Sequence, residues 1–198
     1  MLFRSTDLVD IEELDPGKKW NAAHIYEPTP LSIFNKMLRS VPDKPANLTF
    51  VDIGSGKGLV LLAAAQQGFR RIVGVEISKE LCQIAKNNVK KFTEASSQVS
   101  PIEVICSDAA NFTIPPERVL LYLHNPFGEP VIRQVASNIQ QRLRGAGTKL
   151  YVLYYNPRFP KPLEEIPTAL IRVASQRVWA LAARNRCGFV LYEMGNRE

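Results

Sequence analysis

The stretch "FVDIGSGKGLVLL", residues 50–62, joins two apolar runs through glycines at every second position, Gly54, Gly56 and Gly58. The run before the glycines is short and carries Val51 and Ile53, which suits a buried strand, whereas Leu59 to Ala65 suits the start of a buried helix. A turn without side chains between strand and helix lets a ligand reach the main chain and the unpaired N–H groups of the helix start. The stretch therefore points to a nucleotide-like ligand at the end of a strand.

The alternation continues outward. Strands are expected at 48–53, 71–75, 102–106, 118–123 and 148–155, and helices at 58–67, 79–92 and 129–143. Short Val, Ile and Leu-rich strands separated mostly by helical segments imply an α/β fold, a parallel sheet with helices on both faces. After "YYNPRFPKP" the rhythm breaks. Residues 169–194, "ALIRVASQRVWALAARNRCGFVLYEM", read as two strand-like segments and are expected to form an antiparallel hairpin closing the sheet edge, with Trp179 as a packing residue. Upstream, residues 1–45 read as an extension and lid helix, in which Thr29 is placed as N-cap and Pro30 at the first helical position. The segment "PDKPAN" links it to the domain expected over 46–198.

Composition bounds the class. A chain of 198 residues, 45% hydrophobic and 22% charged, is that of an ordinary globular protein and most simply forms one core. Its longest unbroken apolar run, Leu59 to Ala65, is seven residues, against the roughly 20 that a bilayer helix needs. No membrane partner is expected. The N-terminal "MLFRSTDLVDIEELD" turns acidic without an apolar core, which implies a cytoplasmic location. Cys82, Cys106 and Cys187 are odd in number and far apart, so neither a disulfide framework nor a zinc site is expected, and His24 and His124 add little to the latter. The net charge of +6 is uneven, because Arg172, Arg177, Arg184 and Arg186 lie between Glu165 and Glu193 with no acid among them. A solvated basic face explains this stretch more simply than a phosphate-binding one.

Spacing narrows the ligand. The dinucleotide fingerprint needs its third glycine where Leu59 stands, and a P-loop needs Ser or Thr after its Lys, where Lys57 is followed by Gly58. Both phosphate readings are weakened. Asp52, two residues before the first glycine, would face the turn with a negative charge, which disfavours a pyrophosphate and favours an ammonium or sulfonium. Glu76 closes "RIVGVEIS" at the second strand's end, where an acid can accept both hydroxyls of a ribose. Asp108, in "VICSDAANF", ends the third strand, and its carboxylate can accept a hydrogen bond from an exocyclic amine. Each acid alone could be a strand-end cap or a surface group; three at successive strand ends form one site.

With these residues in place, the chain resembles the class I, seven-strand S-adenosylmethionine-dependent methyltransferases over about residues 48–155. "VDIGSGKG" looks like the family's first motif, "VGVEIS" its second-strand acidic motif, "CSDAANF" its adenine motif and "LLYLHNPFGEP" its fourth-strand motif. The resemblance implies a Rossmann-like, mostly parallel seven-stranded sheet and S-adenosylmethionine as cofactor. The methionine part would lie near Asp52, Gly54 and Gly56, the ribose on Glu76, and the adenine beside Ile77 and Asp108, with Ser55, Gly58, Ala109 and Asn125 also among the cofactor-binding residues. Asn125-Pro126-Phe127 resembles the motif with which amino-methylating members hold the target nitrogen: the Asn125 side-chain oxygen and Pro126 carbonyl accept from the amine, and Phe127 forms an aromatic wall. The family pattern has two prolines and this chain has one; an Asn-Pro turn also arises for structural reasons alone.

His124 is expected as a packed or surface histidine, because strand alternation points it away from Asn125. "HIYEPTP" is similar to the loop that folds over the cofactor in seven-strand lysine methyltransferases, which would bring Tyr26 and Glu27 to the active site; it also reads as an anchor into a capped helix. The acceptor implied is a nitrogen, with protein lysine favoured, nucleic acid as the main rival and a small molecule as another. A dehydrogenase-like fold and a non-catalytic cofactor-binding module are the readings from other classes, and the oligomeric state is left open.

Overall fold

Strand β1 (Thr49–Ile53) is buried at every position, as a strand covered on both faces must be. The computed structural model describes residues 29–96, 99–124, 127–145, 148–166, 171–179 and 186–195, with the side chains of 171–179, 186 and 187 outside the description. Around β1 are β2 (Arg71–Glu76), β3 (Ile102–Cys106), β4 (Val119–His124), β5 (Leu150–Tyr155), β6 (Ile171–Trp179) and β7 (Arg186–Met194). They form one seven-stranded sheet in the order β3-β2-β1-β4-β5-β7-β6. Strands β1 to β5 pair in parallel, while β7 lies antiparallel between β5 and β6. The expected C-terminal hairpin is thus present, with its second strand inside and its first at the edge.

The strand order reverses between β1 and β4, since β1 is followed outward by β2 and β3 on one side and by β4 and β5 on the other. Such a switch point leaves a crevice outside the strands' carboxyl ends, where ligands of open α/β sheets bind. The registers Ile53↔Val75 and Ile53↔Leu123 bring the ends of β1, β2 and β4 level there.

Period-two alternation divides the core. Phe50, Ile72, Leu120, Tyr122, Leu153 and Tyr155 face the layer of α1 (Leu31–Leu38) and α2 (Leu59–Ala65). Val51, Val73, Leu121, Leu123 and Val152 face α4 (Glu129–Gly145). The third long helix, α3 (Lys79–Glu94), buries Leu81, Cys82 and Ala85, with Phe92 packed on the first cluster. Phe34 of α1 meets Phe50 and Tyr122 edge-on, with ring centroids 5.7 and 5.6 Å apart. Each such pair adds about 0.5–1.5 kcal/mol beyond area burial. The helix ahead of the glycine segment is therefore part of the same core as β1.

Two local expectations are corrected and two short elements are added. Pro30, not Thr29, is the N-cap of α1, and among the described residues no side chain caps that helix; the Thr29 hydroxyl is drawn instead to Tyr122 and His124. The 42–47 linker contains a 3-10 turn at Pro45–Asn47. A short helix, α5 (Lys161–Glu164), occupies the Pro-rich segment after β5. Cys82 and Cys106 are joined as a disulfide across 24 residues of sequence, with Cα atoms 5.9 Å apart. Sequence separation misled here because α3 carries the chain away and β3 returns it parallel to β2, opposite Glu76.

At the far rim, Arg142 of α4 is only 7% exposed. Its guanidinium donates to the carbonyls of Pro115, Glu117 and Thr148 at 3.1, 2.6 and 2.7 Å. It thereby ties the loop before β4 to the start of β5.

Candidate active site

The glycine turn takes a shape that side chains resist. Gly54, Gly56 and Gly58 have φ of 83°, 54° and 84°, in the left-handed region where a Cβ costs roughly 1–2 kcal/mol per residue. The turn is also pinned from outside. The amides of Gly54 and Ser55 both donate to the Val75 carbonyl, at 2.8 and 3.0 Å. The Gly56 amide donates to Glu76 Oε2 at 2.8 Å, and the Asn88 side chain of α3 donates to the Lys57 carbonyl at 2.9 Å.

Gly74 on β2 is a further glycine at a close approach, one that the motif reading missed. A Cβ there would lie 2.5 Å from Leu61 Cδ1 and 2.8 Å from Ser55 Oγ. Its signal was visible in "RIVGVE": a glycine inside a strand pattern marks a close approach.

Asp52 is 4% exposed. Burial, with the Glu76 carboxylate adding to it, pushes its carboxyl up to about 8. A cation brought against such a buried acid would favour its charged form. Ser55 Oγ is buried without a hydrogen-bond partner among the described residues. A polar atom left so is expected to find its partner in a ligand or an ordered water.

Glu76 ends β2 and is 6% exposed. Burial raises its pKa, while amide bonds from Ser78, Gly56 and Ile77 oppose the rise. The Gly56 and Ser78 amides go to separate oxygens, Oε2 and Oε1, which leaves acceptor capacity on a carboxylate with about four lone-pair sites. Asp108, beyond β3, accepts from the Ala110 amide at 2.9 Å and so caps the 3-10 turn Ala109–Asn111. The cap reading of that acid holds geometrically, and its carboxylate retains capacity for an amine. Ile77 is half-buried beside Glu76, and Ala109 is buried.

These residues lie at one rim, following β1, β2 and β3. Left-handed glycines, a cation-favouring buried acid, an orphaned serine hydroxyl and a second acid with spare acceptor sites form a donor set that fits an adenosyl sulfonium carrying an amino acid group.

A polar cluster that the sequence did not disclose lies beside it. Asp52 and Tyr122 are register partners on β1 and β4. The Tyr122 hydroxyl is 2.7 Å from Thr29 Oγ1, and Thr29 Oγ1 is 2.9 Å from His124 Nδ1. The His124 ring packs 4.6 Å from that of Tyr155, and burial pushes the imidazole down to about 4. Of the expected packed or surface positions His124 takes the packed one, and burial disfavours its charged form. No local signal joins Thr29 to Tyr122 across 93 residues; only the docking of α1 does.

Phe127 is 8% exposed and sits in the apolar cluster with Ile132 and Val135. Tyr26, Glu27, Asn125 and Pro126 lie outside the described residues, as do the side chains of Arg172, Arg177, Arg184 and Trp179. Among the described residues no group of three or more His, Cys, Asp or Glu could hold a metal, and no helix is long and apolar enough to cross a membrane.

Comparison with known proteins agrees with this geometry. Residues 50–147 match the family model for a methyltransferase domain. The chain is 24% identical over 172 residues to the ribosomal protein L11 methyltransferase of Desulforapulum autotrophicum, covering 84% of this chain and 52% of that protein. It is 38% identical over 66 residues to a putative protein N5-glutamine methyltransferase of Methanocaldococcus jannaschii, covering 33% of this chain and 32% of that one. The chain thus spans about half the length of the first relative and about a third of the second. Among solved structures, the N-methyltransferase NodS of Bradyrhizobium japonicum WM9 in complex with S-adenosyl-L-homocysteine superposes with a TM-score of 0.62. At 15% identity, covering 92% of this chain and 95% of that one, the likeness is one of fold.

Proposed function

We propose that this chain, which belongs to the class I S-adenosylmethionine-dependent methyltransferases, transfers the methyl group to a nitrogen, with a protein lysine side chain as the favoured acceptor. The observation that carries the nitrogen reading is the placement of β4 directly beside β1, in the register Ile53↔Leu123. His124, the last residue of β4, lies at the rim next to the glycine turn, and Asn125-Pro126-Phe127 follow it in sequence. The two relatives named as protein methyltransferases support a protein acceptor, and the similarity of "YEPTP" and "NPFGEP" to seven-strand lysine methyltransferases supports lysine.

When bound, S-adenosylmethionine supplies an electrophilic methyl on a positively charged sulfur. Gly54, Gly56 and Ser55 would hold its amino acid end, Asp52 the positive charge, Glu76 the ribose, and Ile77, Asp108 and Ala109 the adenine. The side-chain oxygen of Asn125 and the carbonyl of Pro126 accept the amine's hydrogens and so aim its lone pair, which is mainly a matter of orientation. A lysine has an ordinary pKa near 10.4 and must shed a proton before it attacks. His124, held near 4 by burial, is neutral already but a weak base, so its part is to pack the end of β4 rather than to take that proton. Proton loss to solvent as the amine enters meets the requirement.

The test incubates the protein with methyl-labelled cofactor and cell extract, then digests portions with protease or nuclease and analyses the labelled hydrolysate. Label on methyl-lysine supports the reading; label lost only to nuclease overturns it in favour of a nucleic acid. Asn125→Ala is expected to leave cofactor binding nearly intact and slow transfer, and unchanged turnover would remove Asn125 from the mechanism. Tight cofactor binding with no transfer to any extract component would favour a non-catalytic module.

A further inference from the structure

The disulfide partners stand on the two segments that wall the ribose and adenine positions. Cys82 is in the first turn of α3, five residues after Ile77, and is 1% exposed. Cys106 is the last residue of β3, two before Asp108, and is exposed. Glu76 connects them. Its carbonyl accepts from the Ser107 amide at 3.0 Å and lies 3.4 Å from Cys82 Sγ, while Glu76 itself is the register partner of Cys106. Strand β3 is at the sheet edge, so among the described residues no strand pairs with its outer side.

We propose that Cys82 and Cys106 are a reversible redox pair that sets how firmly this rim holds S-adenosylmethionine, an inference that rests on the cofactor reading of the same site. Exposure fixes the order of events. The thiolate of a small thiol such as glutathione attacks Cys106 Sγ, the sulfur it can reach; the Cys82–Cys106 bond breaks and its electron pair goes to Cys82 Sγ, which takes up a proton. A second thiolate attacks the small-molecule sulfur of the mixed disulfide, releasing Cys106 as thiolate and leaving oxidised glutathione. Oxidised glutathione drives the reverse, accepting two electrons as the two thiols lose their protons.

The two states differ at Glu76. As a thiol, Cys82 has an S–H to donate to the Glu76 carbonyl, which it then shares with the Ser107 amide; as a disulfide it has none. The bond also ties the start of α3 to the end of β3, holding the segments bearing Ile77 and Asp108 in fixed relation. In the dithiol form that tether is gone, and cofactor binding must itself order the edge. The disulfide form therefore binds more tightly. Linkage makes the effect reciprocal: a bound ligand that prefers the disulfide makes it harder to reduce by the same factor.

S-adenosyl-L-homocysteine is the probe, and intact protein is equilibrated with excess oxidised glutathione or with dithiothreitol, each state verified by alkylation and peptide mapping of Cys82 and Cys106. Calorimetry is expected to give a dissociation constant about fivefold lower for the oxidised form. Saturating probe should then move the midpoint of a glutathione redox titration about 20 mV more negative, from 29.6 mV per tenfold for a two-electron couple. Cys106→Ser, at an exposed position, should bind as the reduced form does in both buffers. Equal affinity in the two states, tighter binding by the reduced form, or a redox-dependent affinity that persists in Cys106→Ser overturns the proposal. Absence of binding in both states and in the variant overturns the cofactor reading beneath it as well, and is thereby told apart from failure of the redox step alone.

Discussion

Asp52→Asn tests the most unusual group in the site. With its carboxyl pushed up to about 8, Asp52 is protonated in roughly nine molecules of ten at pH 7, by the ordinary titration relation. A sulfonium or ammonium brought against it favours the carboxylate, so binding releases close to one proton near neutrality. Affinity must then rise with pH. The slope is about tenfold per unit, or about 1.4 kcal/mol, below pH 8, and it vanishes above pH 8 where the free protein is already ionised. Calorimetry with S-adenosylmethionine at pH 7 in buffers of different ionisation enthalpy measures the released proton directly. S-adenosyl-L-homocysteine, which lacks the sulfonium charge, should release less, and Asp52→Asn should release none and bind with a flat pH dependence. The sign also runs through folding. A raised carboxyl pKa means the native state holds the proton more firmly, so the apo protein loses stability as pH rises from about 4 to 8, and Asp52→Asn should gain stability over the same window. Equal proton release by wild type and Asp52→Asn would refute the reasoning.

Gly74→Ala should lower stability by about 1–3 kcal/mol in urea unfolding, and weaken cofactor binding, because its Cβ would press on Leu61 and Ser55. Arg142→Met should lose about 3 kcal/mol or more, through the buried carbonyls it leaves unpaired, with no change in cofactor affinity, since it serves the opposite rim. His124→Asn bears on acid stability. The imidazole is pushed down to about 4, so its contribution is intact above the unfolded value near 6.5 and is lost as pH falls toward 4; the variant's thermal midpoint should fall less steeply over that window.

The fold was legible wherever period and punctuation agreed. Each of β1 to β5 is an apolar run bounded by turn residues, and the glycines at 54, 56 and 58 fixed the strand-to-helix turn. The acids followed, because Asp52, Glu76 and Asp108 each stand at a strand's end. What escaped depends on contacts between distant segments. Thr29 read as a helix cap from its neighbour Pro30, yet the docking of α1 on Phe50 and Tyr122 turns its hydroxyl toward β4. Cys82 and Cys106 read as unrelated because their approach requires α3 to be packed and β3 paired. The raised pKa of Asp52 likewise comes from burial, which sequence proximity to glycines does not reveal.

The central claim is that the bare turn and the acids around it receive an adenosyl sulfonium compound. A crystal structure of the protein with S-adenosyl-L-homocysteine tests it most directly: the account predicts ribose hydroxyls within hydrogen-bond distance of Glu76, the adenine amine at Asp108 and the amino acid moiety over Gly54 and Gly56. A ligand bound elsewhere, or with its ribose away from Glu76, would contradict it.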